Sequence, residues 1–228
     1  MALLKIDELN TPQVKVEPPE EYFSKMEISE EQKEERVETS KEISDVLLFL
    51  FALLVIELQS DEPDLDYVYS SFLSRFQVVV TNHCRADEYT ERYINTAAKN
   101  IFDDTVENVI ALNIGTDQTD AGWWTSPDRA TAIGENEANS ILNYEELQTA
   151  IDEGYVKKRW VTERDNRVRK THQEVEGVTI PITEYFVVGE TVMMMPHDPE
   201  CLDEREIANC RCSLRFIDKN GKEKKYGK

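Results

Sequence analysis

Positively charged residues are scarce in the first two thirds of this 228-residue chain. Residues 1–150 hold 31 acidic side chains against 11 basic ones, whereas residues 151–228 hold 15 of each. The whole net charge of −20 therefore belongs to the first part. Such a surface repels phosphates, so counterion release cannot drive its binding to DNA. A solvated acidic face is the plain interpretation of this charge, and docking onto a basic protein partner is the sharper alternative.

Long apolar runs are missing as well. The longest, VLLFLFALLVI at 46–56, has 11 residues, and a membrane-spanning helix needs about 20. The first residues turn acidic at once and contain no apolar segment typical of a secretory signal. We therefore predict no membrane association and a reducing compartment, in which the four cysteines are free or bound to metal.

The sequence contains no glycine-rich phosphate loop, metalloprotease helix motif or nucleophile elbow, and we predict that the protein is not an enzyme. One charged segment, WVTERDNRVRKTH, keeps a catalytic alternative open. Its Asp165, Arg167, Arg169 and His172 can act as a general acid/base and phosphate-binding group, although nothing in the sequence pairs them with a nucleophile. Buried Arg–Asp pairs that fix a loop are the structural interpretation of the same residues.

The predicted fold is α+β, with a helical N-terminal part followed by a long helix packed on a small, mainly antiparallel sheet. Residues 1–40 are predicted to form an acidic extended arm, at most partly helical until a partner orders it. A helix is predicted over 41–60, with Ser44 or Asp45 as its cap. It is apolar on every face, which favours burial against another subunit, with an ordinary core helix as the alternative.

Residues 64–112 are predicted to form one long helix or two, beginning near Pro63 and ending at Gly115. Residues at a four-residue spacing give this region an apolar stripe. They are Tyr89, Tyr93, Ala97 and Ile101. A polar loop with two exposed tryptophans is expected to follow. Together, residues 41–125 are interpreted as a helical docking region.

The next helix has strong sequence signals at both ends. Ser126 is a candidate N-cap, Pro127 suits the first helical position, and Gly154 marks the end. The predicted buried stripe consists of Ala130, Ile133, Ala138, Ile141, Leu142 and Ala150. Short β-type runs then alternate with turn signals, which predicts the antiparallel sheet.

Two thiols one residue apart occur in the segment NCRC at 209–212. On a strand, Cys210 and Cys212 would face the same side. Together with Cys201 and with His172 or His197 they supply a set of four zinc ligands, and the candidate set is His172, Cys201, Cys210 and Cys212. The irregular spacing leaves a second interpretation open, in which the thiols pack as small apolar groups. A disulfide between Cys210 and Cys212 would be strained.

Residues 126–217 resemble the phage Mu protein F-like minor head proteins, the phage head morphogenesis family. The matching positions are Trp160, Thr162, Asp165, Arg167, Arg169, His172, Gly177, Phe186, Pro196, Asp198, Asn209, Cys210 and Cys212. The preceding helix matches at Arg129, Glu137 and Asn143. Residues 1–125 match only loosely. Residues 126–228 are accordingly interpreted as a Mu F-like α+β head morphogenesis domain.

The resemblance implies a minor head protein, present in few copies per virion, that acts in head morphogenesis or genome delivery. It implies the portal protein as partner, with the major capsid protein and packaged DNA as further contacts. The expected location is the virion interior or the portal vicinity, and the host cytoplasm during assembly. Some relatives carry a toxin domain after this module, and none is expected here. A small nuclease-like or nucleotide-acting effector that uses the cluster from Asp165 to His172 is the alternative.

Overall fold

Helices make up most of the chain that precedes the sheet. The structure, a computed structural model, describes residues 16–114, 122–201 and 203–224. The main helices are α1 (Pro19–Ser24), α2 (Glu30–Glu57), α3 (Leu65–His83), α4 (Glu88–Ile114) and α5 (Pro127–Asp152). No helix in the described ranges combines the length and apolarity that crossing a membrane requires.

The remaining elements form a small C-terminal lobe after α5. They are β1 (Lys157–Val161), α6 (Lys170–Val175), β2 (Thr179–Pro181), β3 (Phe186–Val188), β4 (Thr191–Met193), α7 (Glu204–Ile207) and β5 (Ser213–Ile217). An antiparallel sheet has the order β2-β1-β5, and β3 and β4 form a separate antiparallel hairpin. The α+β prediction, with a helical N-terminal part and a small antiparallel sheet, is confirmed.

Residues 16–40 differ from the predicted extended arm. They contain α1 and the start of α2, and the aromatic rings of Tyr22 and Phe23 are buried in the core. α2 begins with a capping box, in which the Ser29 hydroxyl accepts from the backbone of Gln32 and the Gln32 side chain accepts from the backbone of Ser29. The predicted cap at residue 44 or 45 is therefore wrong, and the predicted boundary between residues 40 and 41 falls inside α2. Residues 1–15 of the predicted arm lie outside the described residues.

α2 buries one face and leaves the other exposed. Its buried apolar residues are Ile43, Leu47, Leu50, Phe51 and Leu54. On the opposite face Leu48, Val55 and Ile56 are exposed, with Ile56 at 64 %. The all-round apolar composition therefore reflects two surfaces, of which the described residues cover only one.

The predicted boundaries of the other helices agree well with the structure. Asp64 caps α3, and a break after His83 resolves the region into two helices, α3 and α4. Ser126 caps α5, and the left-handed Gly154 follows its end. The predicted stop at Gly115 and the polar loop up to residue 121 lie outside the described residues. Of the two tryptophans predicted to be exposed, Trp123 is exposed and Trp124 is partly buried against the core.

α2 and α5 pack closely enough for backbone contact. Gly134 of α5 lies against α2, where a Cβ atom on this residue would be 2.4 Å from the carbonyl oxygen of Ser40. The hydroxyl of Ser44 donates across the contact to the carbonyl of Ala130 at 3.2 Å. α5 also carries most of the predicted stripe into the core, with Ile133 only partly buried. It thus stands between α2 and the C-terminal lobe, in contact with both.

Candidate metal centre

The lobe brings His172 and the two thiols of the NCRC segment together. His172 lies on the buried face of the short helix α6. Cys210 and Cys212 lie in the segment just before β5, so they are not part of the strand itself. Asn209 begins this segment with a φ of 55°, a left-handed conformation that asparagine tolerates better than most residues. Both sulfurs then face the same imidazole, as the alternation predicts.

The distances within this cluster suit a tetrahedral metal ion. Nδ1 of His172 lies 3.4 Å from Sγ of Cys212 and 3.5 Å from Sγ of Cys210. Zinc bonds of about 2.3 Å to sulfur and about 2.0–2.1 Å to nitrogen place the two donor atoms about 3.6 Å apart in a tetrahedron. All three donor atoms lie within 4.8 Å of one another, and the three side chains are buried. The cluster can therefore hold a metal ion without large rearrangement.

The surroundings of His172 also fit a metal ligand. Its other ring nitrogen, Nε2, lies 3.1 Å from a carboxylate oxygen of Glu206. A carboxylate behind a ligating histidine fixes the ring orientation and raises the basicity of the ligand. The indole ring of Trp160 packs edge to face against the imidazole, with centroids 5.5 Å apart. Trp160 thus packs against the imidazole on one side, and the Glu206 carboxylate lies close to Nε2, although the two atoms do not form a hydrogen bond.

The protonation pattern of the cluster favours one thiolate. Burial raises the pKa of Cys210, but hydrogen bonds from Cys212 and His172 outweigh it and hold that pKa well below its usual range. The hydrogen bond to Cys210, together with burial, raises the pKa of Cys212 well above its ordinary value. Burial lowers the pKa of His172, yet its contact with the Cys210 thiolate gives a net increase. A metal ion would take the place of the protons that these three groups now share.

Two predicted ligands lie elsewhere. The sulfur of Cys201 is 3.6 Å from the hydroxyl of Thr191, outside the cluster. His197 donates from Nε2 to the carbonyl oxygen of Cys210 at 2.5 Å. Burial of the ring lowers the pKa of His197 below its ordinary value. The prediction that Cys201 completes the set is therefore wrong. Among the described residues, the cluster has three candidate ligands, and no further histidine, cysteine or carboxylate supplies a fourth.

The carbonyl oxygen of Cys210 connects the cluster to the rest of the chain. Besides His197 it accepts from Nδ2 of Asn139 at 2.9 Å and from the hydroxyl of Tyr22 at 3.4 Å. Asn139 lies on α5 and Tyr22 on α1. The backbone next to the thiols is therefore fixed by donors from three separate segments.

A buried arginine of α2 supports this arrangement from behind. Arg36 is fully buried, and its guanidinium donates to the side-chain oxygens of Asn139 at 3.0 Å, Asn143 at 3.1 Å and Glu146 at 2.7 Å. Asn143 in turn donates to the carbonyl of Pro196 at 3.0 Å. The helical part of the chain thus orients both amides that bind the loops of the lobe.

The charged cluster of the motif is divided among several partners. Asp165 accepts from Arg211 at 2.7 Å and from the backbone of Arg167; although burial opposes it, these contacts lower the pKa of Asp165. Thr162 donates its backbone N–H to the carboxylate of Glu176 at 2.6 Å. His172 faces the thiols and Glu206. The structure therefore pairs Asp165 with Arg211, as in the loop-fixing interpretation.

Sequence reasoning missed three residues that shape this region. Arg36 lies in a mostly acidic segment, 7 residues before Ile43 and 14 before Leu50. Residues at this spacing share one face of a helix, so the sequence does indicate that Arg36 lies on the buried face. Glu206 and Arg211 give no such signal, because short loop segments have no periodicity to read. Their roles depend on tertiary packing that brings together residues 160–172 and 203–213.

Comparisons of this chain with protein-family models, with curated proteins and with solved structures gave no match.

Proposed function

We propose that this protein is a minor head protein of a bacteriophage, bound at the portal and inner head and acting in head morphogenesis or genome delivery. The observation that supports this best is the position of the motif residues. Trp160, Thr162, His172, Cys210 and Cys212 are all buried, where they brace the lobe. Motif residues that stabilise the fold suit an assembly protein, whereas an enzyme needs reactive groups that reach a substrate.

The helical part offers the docking surface. It carries the net negative charge of the chain, and it presents Leu48, Val55 and Ile56 in the open. A charged surface steers a partner of opposite sign, and apolar residues within it supply burial energy. We propose the portal ring as the partner of this face. The charge-neutral C-terminal lobe then lies nearest to packaged DNA.

Replacing Val55 and Ile56 together by serine is expected to weaken binding to the portal protein of the same phage about tenfold or more, because truncating central apolar contacts removes most of the interface energy. Cosedimentation of the purified chain with assembled portal rings measures the effect. Val187→Ser is the matched control, since Val187 is 68 % exposed on β3 of the C-terminal lobe. A chain that stays monomeric beside the portal and turns over a nucleotide or nucleic acid would contradict the proposal.

We further propose that the metal in the cluster is zinc, held by His172, Cys210 and Cys212. One nitrogen and two sulfur donors at tetrahedral distances are a donor set that zinc prefers. Structural zinc adds folding energy directly, which suits a lobe built on short strands. The fourth position is left to water or to another group that enters from the adjoining cavity.

Elemental analysis of the purified chain is expected to give about one zinc per protein, which chelation removes with a fall in the thermal midpoint. Cys210→Ser and Cys212→Ser should each lower the zinc affinity by about tenfold or more. Cys201→Ser is the control, because this buried thiol lies outside the cluster and should leave zinc unchanged. Less than about half an equivalent of zinc, with all thiols freely titratable, would show that the cysteines only pack.

A further inference from the structure

A cavity of about 190 Å³ opens beside the two thiols of the cluster. Three arginines line it, Arg167, Arg169 and Arg211, together with Glu163. All three arginines belong to the charge-neutral part of the chain, residues 151–228. The question is which negative groups balance the charge of these three guanidinium groups.

Arg211 is the strongest indication that a ligand belongs here. Its side chain is 5 % exposed, and Nη2 donates to Asp165 at 2.7 Å. The other terminal nitrogen, Nη1, is buried and has no hydrogen-bond partner within the described residues. A buried charged donor without an acceptor costs considerable free energy. Because Arg211 lines the cavity, an acceptor in the cavity would remove that cost.

The other two arginines add positive charge at the same place. Arg169 donates to the carbonyl of Ala208 and, among the described residues, makes no ion pair with a carboxylate. Arg167 is half exposed and pairs with Glu17 at 2.9 Å. Glu163 also lines the cavity, where burial raises its pKa to about 7, so this carboxylate is only partly ionised at neutral pH. Nη1 of Arg211 therefore remains a buried donor that no described residue satisfies, and Arg169 adds a cation beside it that no described carboxylate pairs.

We propose that this cavity binds a phosphate group, either of a small phosphate ester or at the end of a nucleic-acid strand. Planar guanidinium groups from different directions match the several oxygens of a tetrahedral oxyanion, each able to accept more than one N–H. The volume admits a phosphate with its first attached group but not a duplex. The acidic surface of residues 1–150 also repels long nucleic acid. The inference does not depend on the proposed function or on a bound metal.

Calorimetric titration of the full chain with inorganic phosphate is expected to show one site with a millimolar or tighter dissociation constant. Arg169→Gln should weaken it about tenfold or more, since a charge-assisted hydrogen bond is lost. Asp165→Asn should strengthen binding, because it removes the negative charge that competes for Arg211. Arg159→Gln is the control: Arg159 is engaged by Glu223 and Thr179 and does not line the cavity.

The source of the phosphate is separated by parallel titrations with a nucleoside monophosphate and with a short oligonucleotide that carries or lacks a 5′-phosphate. Preference for the phosphorylated oligonucleotide indicates a strand end, and preference for the mononucleotide indicates a small ester. The proposal is overturned if none of these phosphate compounds binds at about 10 mM. It is also overturned if the Arg169→Gln and Asp165→Asn variants bind phosphate with the same affinity as the unchanged protein. Zinc content and portal binding are measured on the same variants, so that loss of the phosphate site is told apart from loss of the metal or of the docking surface.

Discussion

Arg36→Ala is expected to lower the free energy of unfolding by about 3–5 kcal/mol, the cost typical of breaking a buried ion pair by removing one partner. The change leaves the Glu146 carboxylate without its cation and the side-chain oxygens of Asn139 and Asn143 without their donor. Denaturant unfolding followed by circular dichroism measures the loss. The reactivity of the buried thiols toward a thiol reagent should rise as well, since Asn139 then holds the carbonyl of Cys210 less firmly.

Lys41→Ala is the matched control for this experiment. Lys41 is a cation on the same helix, but its ion pair with Glu20 is exposed on both sides, so its loss should cost less than about 1 kcal/mol. If Arg36→Ala cost no more than the control and left thiol reactivity unchanged, Arg36 would be a bystander. The contacts of Tyr22 and Asn139 with the carbonyl of Cys210 would then hold the lobe without help from Arg36.

Gly134→Ala is expected to destabilise the protein by about 1–3 kcal/mol, the range typical of overpacking. In an exposed helix the same change would stabilise by about 1 kcal/mol, so the sign itself is the test. The reason is steric: the new methyl would lie 2.4 Å from the backbone oxygen of Ser40 and 2.5 Å from the hydroxyl of Ser44. The backbone atom cannot move aside without separating α2 from α5. Thermal and denaturant unfolding both measure the difference.

Gly122→Ala provides the opposite case. A Cβ atom at Gly122 would meet nothing within 4 Å, so this change should be neutral or slightly stabilising. A stabilised Gly134→Ala protein would show that α2 and α5 lie farther apart in solution than the close contact at Ser40 implies.

Local signals made the helices and the sheet predictable. Ser126, Pro127 and Asp64 mark helix starts through chemistry within three residues of themselves, and their role needs no knowledge of the rest of the fold. The capping box at Ser29 is just as local, but the acidic composition around it favoured an unfolded arm. Burial of Tyr22 and Phe23 stabilises this segment, and composition alone does not reveal such docking.

The candidate site was only half predictable, for a different reason. The alternation of Cys210 and Cys212 predicts that both sulfurs face one side of an extended segment, and in the structure both lie beside the same imidazole. Which residue they face does not follow, because Cys201 and His172 are equally plausible partners along the chain. Only the packing of α6 beneath Trp160 selects His172. The arginine cavity likewise arises from segments that have no common pattern.

The three hydrogen bonds that the carbonyl of Cys210 accepts have a consequence for how a newly made chain folds. Tyr22 and Cys210 are separated by 188 positions, so this contact can close only after the whole intervening segment has been synthesised. Contacts between such remote positions form slowly, since the entropy of the intervening loop must be lost first. Until then the carbonyl of Cys210 lacks one of its three donors, so the backbone beside the two sulfurs gains its full support only when helix α1 docks on the C-terminal lobe.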